Sequence, residues 1–238
     1  MKLKACINGP RTPREHPAVP VTAEQISAES IAAVRAGAEA IHVHPKNPDG
    51  TDSLAADHVE AAVRAARMAG VPVGVTTGAW SAPDPASRLK AIASWTTLPD
   101  FASVNWHEEG AYEVARVLLD RGVGVEAGLW SVRAARAWLD SDLRKHCMRA
   151  LLEVQPNDPP TAAEDLVAAT FDAGVPILLH GEGATCWNTL RLAVSLDLPT
   201  RIGLEDSLTL PDGSLAAGNA DLVAAAVAEL EPPAQWRG

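Results

Sequence analysis

Short apolar runs rich in valine, isoleucine and leucine alternate along the chain with alanine-rich amphipathic stretches. This alternation is typical of successive βα units around a parallel sheet. One amphipathic stretch spans residues 22–38, where Thr22 and Gln25 form a capping-box pattern and Gly37 predicts the helix end. Eight apolar runs predict strands, over residues 3–8, 40–45, 71–77, 101–106, 122–128, 150–155, 175–181 and 201–206.

A strand-entry phrase recurs as AGVPVGV, RGVGVEA and AGVPILL, each time after a helix that ends in glycine. Repetition of one unit without a linker-like gap predicts a single (β/α)₈ TIM barrel domain over residues 1–238. A doubly wound open sheet is the alternative. Catalytic side chains of such barrels lie at the carboxyl ends of the strands. Polar residues collect at these ends and predict a site there: Asn8, His42, His44, Thr76, Thr77, Ser103, Asn105, Glu126, Gln155, His180, Glu182, Glu205 and Asp206.

Composition and net charge argue against some classes of binding partner. The 238-residue chain is 47% hydrophobic and carries a net charge of −10, which argues against a nucleic-acid-binding surface. Its three cysteines, Cys6, Cys147 and Cys186, are widely spaced and favour a reducing compartment over a disulfide framework. The amino-terminal segment lacks the apolar stretch of a signal peptide, and no run of 18 apolar residues predicts a membrane span. We therefore expect a cytoplasmic protein with neither a membrane nor a nucleic-acid partner.

The segment AIHVHP places His42 and His44 two residues apart on a predicted strand, so both side chains point to one face. Neutral imidazoles seldom crowd together without a shared cation, which predicts a metal site. For either histidine alone, a hydrogen-bonded core residue is the other interpretation. A third ligand is available in RIGLED, which ends in Glu205 and Asp206. Because neighbours on a strand face opposite ways, we expect one of these carboxylates to reach the histidines; a solvated acidic turn is the alternative.

Two further segments indicate anion binding. Residues 8–22 form a proline-rich loop after the first strand, either a rigid surface connection or a lid that presents arginines to an anion. HGEGATCW, residues 180–187, enters a helix through two glycines, so backbone N–H groups at the helix start could receive an anion; a cap formed by Glu182 is the alternative. Its glycine spacing is not that of a dinucleotide or nucleotide fingerprint.

Five segments, INGPRTPREHPAVPVTAEQ, AIHVHP, TTG, SVN and RIGLEDS, together resemble the β-keto acid cleavage enzyme family, in the same order along the chain. The resemblance implies a (β/α)₈ barrel that binds one Zn²⁺ and condenses a β-keto acid with acetyl-CoA, giving acetoacetate and an acyl-CoA. Zinc would hold the keto acid through its carbonyl and carboxylate oxygens. The resemblance also implies a homotetramer or homodimer. It assigns His42, His44 and Glu205 as zinc ligands, Asp206 and Arg201 as the catalytic pair, and Thr76, Ser103, Asn105 and Glu126 as substrate contacts.

One position departs from the family pattern. Arg11 stands where a member that takes an ammonium-bearing substrate has a glutamate, so we expect Arg11 to contact a neutral or carboxylate-bearing keto acid. The loop after the predicted sixth strand also lacks the glycine-rich segment of longer members. Two other functions stay open at this point: a zinc-dependent aldolase or hydrolase that uses no CoA, and a non-catalytic barrel that binds a small anion.

Overall fold

A computed structural model of the protein describes residues 2–230 and contains eight parallel strands that alternate with eight α-helices in this part of the chain. The strands are β1 Leu3–Cys6, β2 Ala40–Val43, β3 Val73–Thr76, β4 Phe101–Asn105, β5 Gly124–Leu129, β6 Arg149–Val154, β7 Ile177–Gly181 and β8 Thr200–Ile202. The helices are α1 Ala23–Arg35, α2 Ala56–Ala66, α3 Pro85–Ala93, α4 Ala111–Asp120, α5 Val132–Leu139, α6 Ala162–Thr170, α7 Cys186–Ser195 and α8 Asn219–Leu230. The last residues of the predicted domain, 231–238, lie outside the described residues.

The sheet curls into a nearly closed barrel. Its strand order is β7-β6-β5-β4-β3-β2-β1-β8, so β1 pairs on both sides, and Lys4 is in register with Ala40 and with Arg201. Between β7 and β8, the backbone N–H of Leu179 donates to the carbonyl of Pro199 at 3.0 Å. The predicted (β/α)₈ barrel is confirmed, and the open-sheet alternative is excluded.

Local signals account for the helix positions. Thr22 caps α1 by accepting a hydrogen bond from the backbone of Gln25, whose side chain accepts one from the backbone of Thr22 in return, as the capping box predicts. Gly37, with φ at +120°, follows the end of α1 and allows the turn into β2. The helices pack alanine and branched aliphatic side chains onto the sheet, and each buried valine or leucine contributes about 1.5–3 kcal/mol of transfer free energy.

The eighth strand is shorter than the sequence predicts. After β8 the chain turns at Gly203, whose carbonyl accepts hydrogen bonds from Asp206 and Ser207 at 2.9 and 3.0 Å. A side chain at Gly203 would overlap the backbone of Cys6, so the turn can pack against β1 only with glycine there. Glu205 therefore lies in a turn, where side chains no longer alternate between the two faces of a strand. The prediction that strand alternation selects one of the two carboxylates was wrong.

The longest described helix, α1, has 13 residues, and none of the helices within residues 2–230 combines the length and the apolar character that crossing a bilayer requires. The three cysteines are buried and are not paired with one another.

Candidate metal centre and active site

A cavity of about 60 Å³ opens at the carboxyl ends of the barrel strands. The indole rings of Trp80 and Trp130 form part of its wall. Its polar lining includes eight residues that the sequence singles out: His42, His44, Thr76, Ser103, Asn105, Glu182, Arg201 and Glu205.

His42, His44 and Glu205 converge in this cavity with geometry that fits one metal ion. The Oε2 atom of Glu205 lies 3.6 Å from Nε2 of His44 and 3.9 Å from Nε2 of His42. Ligand atoms bound to a single zinc at about 2.0–2.2 Å are separated by roughly 3.4 Å in a tetrahedral arrangement. The same Oε2 is buried and has no hydrogen-bond partner among the described residues, which is the state expected of an oxygen reserved for a cation.

The loop after β1 holds two of these ligands in place. The side chain of Asn8 donates to the carbonyl of His44 at 2.9 Å and accepts from its backbone N–H at 2.8 Å. Gly9 has φ at +58°, and a Cβ there would lie 2.5 Å from Cγ of Glu205. A glycine is therefore required for the loop to pass over the carboxylate.

The two histidines differ in their proton affinity. Burial lowers the pKa of His42 well below its usual range, because the opposing attraction of Glu205 is weaker. Burial also acts to lower the pKa of His44, but the carboxylates of Asp52 and Glu205 outweigh it and raise the pKa of His44 to about 9. A metal that binds at Nε2 of His44 thus displaces a proton.

Arg201 joins Glu205 to its neighbour Asp206. Nη2 of Arg201 donates to Oε1 of Glu205 at 2.8 Å and to Oδ1 of Asp206 at 2.7 Å. Burial raises the pKa of Asp206 to about 8, although Arg201 opposes the shift. The other oxygen of Asp206, Oδ2, is buried and accepts no hydrogen bond in the described protein. Asp206 itself is fully buried and does not line the cavity, whereas its partner Arg201 does.

His180 and Glu153 extend this network on the other side of Arg201. Nε of Arg201 donates to Nδ1 of His180 at 3.1 Å, so the proton of a neutral His180 is on Nε2, which lies 3.3 Å from Oε2 of Glu153. Burial and the nearby Arg201 lower the pKa of His180 to about 4. His180 is therefore neutral near neutral pH and accepts from the guanidinium.

The structure places some of the predicted substrate residues in the cavity and others outside it. Thr76, Ser103 and Asn105 line the cavity. Arg11 is not part of the lining but contacts two residues that are: its Nε donates to the carbonyl of Glu205 at 3.3 Å, and its Nη2 lies 4.0 Å from Oε1 of Glu182. These positions are compatible with substrate contact.

Glu126 is placed elsewhere. Its side chain is fully buried, 2.5 Å from Nζ of Lys4 and 3.3 Å from Nε of Arg149, and it does not line the cavity. Because both carboxylate oxygens face cations of the barrel interior, we assign Glu126 to this ion pair and not to the substrate.

The anion site expected at residues 180–187 does not form from free backbone amides. The N–H of Gly183 donates to the carbonyl of Asp206 at 2.7 Å, and that of Thr185 donates to the carbonyl of Glu182 at 3.2 Å. The segment instead fastens the turn after β8 to the start of α7.

Comparison with known proteins decides the family. Residues 1–232 match the sequence profile of the beta-keto acid cleavage enzyme family. The chain belongs to this family. A relative, the 3-keto-5-aminohexanoate cleavage enzyme of Fusobacterium nucleatum subsp. nucleatum, is 25% identical over an alignment of 243 positions that covers 93% of this chain and 88% of the relative. The resemblance that the sequence segments carry is confirmed.

Solved structures of other proteins share the barrel fold with this member of the beta-keto acid cleavage enzyme family. The 3-dehydroquinate dehydratase of Geobacillus kaustophilus is 15% identical, with a TM-score of 0.64 over 96% of this chain and 89% of that one. The homocysteine methyltransferase of Escherichia coli is 13% identical, with a TM-score of 0.59 over 96% and 95%. At these identities the similarity shows the fold alone.

Sequence reasoning missed two residues of the site in this beta-keto acid cleavage enzyme family member. Glu153 lines the cavity, and its only sequence signal is a charge inside the apolar strand LLEVQ. Asp52 accepts a hydrogen bond from Nδ1 of His44 at 2.7 Å. It follows a Pro-Asp-Gly turn, where an acidic residue usually indicates a solvated surface.

Proposed function

We propose that the protein is a zinc-dependent enzyme that condenses a β-keto acid with acetyl-CoA and releases acetoacetate and an acyl-CoA. The observation that carries the proposal is the convergence of His42, His44 and Glu205 beside the Arg201–Asp206 pair. Family membership supports cleavage of a β-keto acid. Three nitrogen and oxygen ligands with an open side suit a catalytic zinc.

The ligands of the ion would be Nε2 of His42, Nε2 of His44 and a carboxylate oxygen of Glu205. Bound there, zinc would supply Lewis acidity that makes the protons on C2 of the keto acid easier to remove. Arg201 keeps Glu205 ionised, and the pKa of Glu205 is well below its usual range because Arg201 and both histidines outweigh its burial.

Asp206 is the general base of the proposed reaction. Burial raises the pKa of Asp206, so its ionised carboxylate is a stronger base than an exposed aspartate. Arg201 fixes Oδ1 with two hydrogen bonds and leaves Oδ2 for the proton. The first bond that forms joins C2 to the acetyl carbon of acetyl-CoA, and the thioester C–S bond breaks to release CoA as its thiolate. The thiolate sulfur then bonds to C3, the C2–C3 bond breaks, and C2 takes back the proton from Asp206, which gives acetoacetate and the acyl-CoA.

The remaining polar residues of the cavity orient the substrate. Thr76, Ser103 and Asn105 supply hydroxyl and amide donors for the substrate carboxylate. Asn105 is itself held, since its amide donates to Oε1 of Glu108 at 3.0 Å and Glu108 pairs with buried Arg88 at 2.6 Å. A fixed amide loses less rotamer entropy on binding than a free one.

Arg11 supplies the substrate preference. Its guanidinium contacts two residues that line the cavity, Glu182 and Glu205, and we propose that it favours a neutral or carboxylate-bearing acyl chain. The other proposals about the protein follow its family: action in the cytoplasm and assembly into a homotetramer or homodimer.

Turnover assays test this function. The zinc-loaded protein is incubated with a panel of β-keto acids, with and without acetyl-CoA, and acetoacetate is measured. We expect acetoacetate release that requires both substrates and is lost on Asp206→Asn, while Asp212→Asn at an exposed turn leaves it unchanged. Keto acid cleavage without acetyl-CoA would instead support an aldolase or hydrolase. No turnover of any keto acid would contradict the proposal.

A further inference from the structure

Asp52 makes three hydrogen bonds beside the candidate metal ligands. Its Oδ2 accepts from Nδ1 of His44 at 2.7 Å and from Nε1 of Trp80 at 2.8 Å, and its Oδ1 accepts from Nζ of Lys46 at 2.6 Å. The Asp52 side chain is only 4% exposed. Such a carboxylate is held in one orientation, because both of its oxygens are occupied by donors from different segments.

Lys46 anchors Asp52 to the loop that follows β1. Besides Asp52, its ammonium donates to the carbonyl of Gly9 at 2.6 Å and to the carbonyl of Arg11 at 3.1 Å. These three bonds use the three protons of the ammonium group. Asp52 is thereby tied to the same loop that packs against Glu205.

The consequence for His44 is a fixed tautomer. With Nδ1–H donated to Asp52, the lone pair of the neutral ring is on Nε2, the atom that lies 3.6 Å from Glu205. The ring of Trp80 stacks on the imidazole, with centroids 6.1 Å apart and planes at 20°, and restricts its rotation. Within residues 2–230, His42 has no such support, since its Nδ1 is buried without a hydrogen-bond partner there.

We infer that Asp52 is a positioning residue that orients His44 as a metal ligand and sets the affinity of the site for zinc. The inference rests on the proposed metal site, and it adds a residue outside the ligand set. A carboxylate behind a ligating histidine raises the basicity of the ligand and typically changes metal affinity 10–100-fold.

A purely structural role in the turn is a weaker explanation of Asp52. The turn is closed by other residues: Asn47 and Thr51 pair through backbone and side chain, and Asp49 accepts from the N–H of Thr51 at 3.0 Å. Asp49 is exposed and makes no contact with a histidine in the described structure. It is therefore a matched control in the same turn.

Chelator competition measures the zinc dissociation constants of the wild type, Asp52→Ala, Asp52→Asn and Asp49→Ala. We expect affinity to fall roughly 10–100-fold in Asp52→Ala, less in Asp52→Asn, and not at all in Asp49→Ala. Asp52→Asn retains the side-chain volume and an oxygen acceptor, so it carries the test if Asp52→Ala does not fold.

A second readout separates positioning from folding. In the zinc-loaded wild type, NMR of labelled histidine should show a slowly exchanging, strongly deshielded Nδ1–H of His44, and Asp52→Ala should lose it. If the wild type binds zinc and both Asp52 variants bind it equally tightly with this signal unchanged, the inference is wrong while the metal site stands. A wild-type chain that binds no zinc would overturn the metal site and the inference together.

Discussion

Arg201 holds Asp206 by two hydrogen bonds to the same oxygen, from Nη2 at 2.7 Å and from Nε at 3.0 Å. Both residues are buried, and Nη2 also reaches Glu205, so one guanidinium serves a candidate metal ligand and the proposed base. A lysine presents a single ammonium and cannot reproduce this planar arrangement.

Arg201→Met should therefore damage both activity and stability. We expect a loss of about 3–5 kcal/mol in the free energy of unfolding, because two carboxylates lose their buried partner, and a fall in kcat of at least about 100-fold. Arg201→Lys should also lower the free energy of unfolding and kcat. Denaturant unfolding and steady-state kinetics measure the two effects. Arg191→Met, which breaks the exposed pair with Glu229, should cost no more than about 1 kcal/mol; equal losses at the two sites would refute the distinction.

Lys4→Met should destabilise the barrel without removing its metal. The change leaves Glu126 buried beside Arg149 alone, at an expected cost of about 3–5 kcal/mol. Zinc content and the KM for the keto acid should stay at wild-type values, since neither residue lines the cavity. Glu126→Gln is expected to follow the same pattern. A large rise in KM with unchanged stability would instead place Glu126 in contact with the substrate.

His180 should make stability depend on pH below neutrality. Its pKa is about 4 in the folded protein and 6.5 in its ordinary state, so between these values the unfolded chain binds a proton that the folded protein does not. The free energy of unfolding therefore falls as pH falls through this window. Between about pH 7 and about pH 4, the wild type should lose about 3 kcal/mol more than His180→Gln.

The matched control for this pH effect is His146→Gln, which replaces an exposed histidine. It should keep the wild-type pH dependence in denaturant titrations at each pH. If the free energy of unfolding changes equally with pH in the wild type and in His180→Gln, then His180 does not titrate in this window.

Arg11→Glu should shift substrate preference. The reversal places a third carboxylate beside those of Glu182 and Glu205, which should raise the KM for a carboxylate-bearing keto acid by roughly 10-fold or more. Arg14→Glu, an exposed change in the same loop, serves as the control. The measurement is kcat/KM for an anionic and a neutral keto acid with each variant. Equal turnover of the anionic substrate by the wild type and Arg11→Glu would refute the assignment.

Much of the fold and part of the site could be predicted from the sequence. Periodicity located eight strands because a buried parallel sheet requires apolar runs, and the spacing of His42 and His44 placed both rings on one side. The end of β8 could not be predicted, since the turn at Gly203 depends on its contact with Cys6 across the barrel. The buried ion pair between Glu126 and Lys4 could not be predicted, because the two residues are 122 positions apart in the sequence.

Asp52 is a second residue whose contacts could not be predicted from the sequence. Its sequence context is that of a solvated turn, and only the return of this turn toward β2 brings its carboxylate to Nδ1 of His44. Local sequence patterns predict well where helices and strands lie and which of their faces is buried. Contacts between loops at the mouth of the barrel depend on tertiary packing, which neither periodicity nor turn chemistry encodes.

The zinc content of the purified chain shows whether His42, His44 and Glu205 form a metal site. Mass spectrometry after zinc loading and dialysis should find about one zinc per chain in the wild type. His44→Ala and Glu205→Gln should lose most of it, and His146→Ala should retain it. A wild-type chain without zinc, or a His44→Ala chain that binds as much as the wild type, would contradict the account.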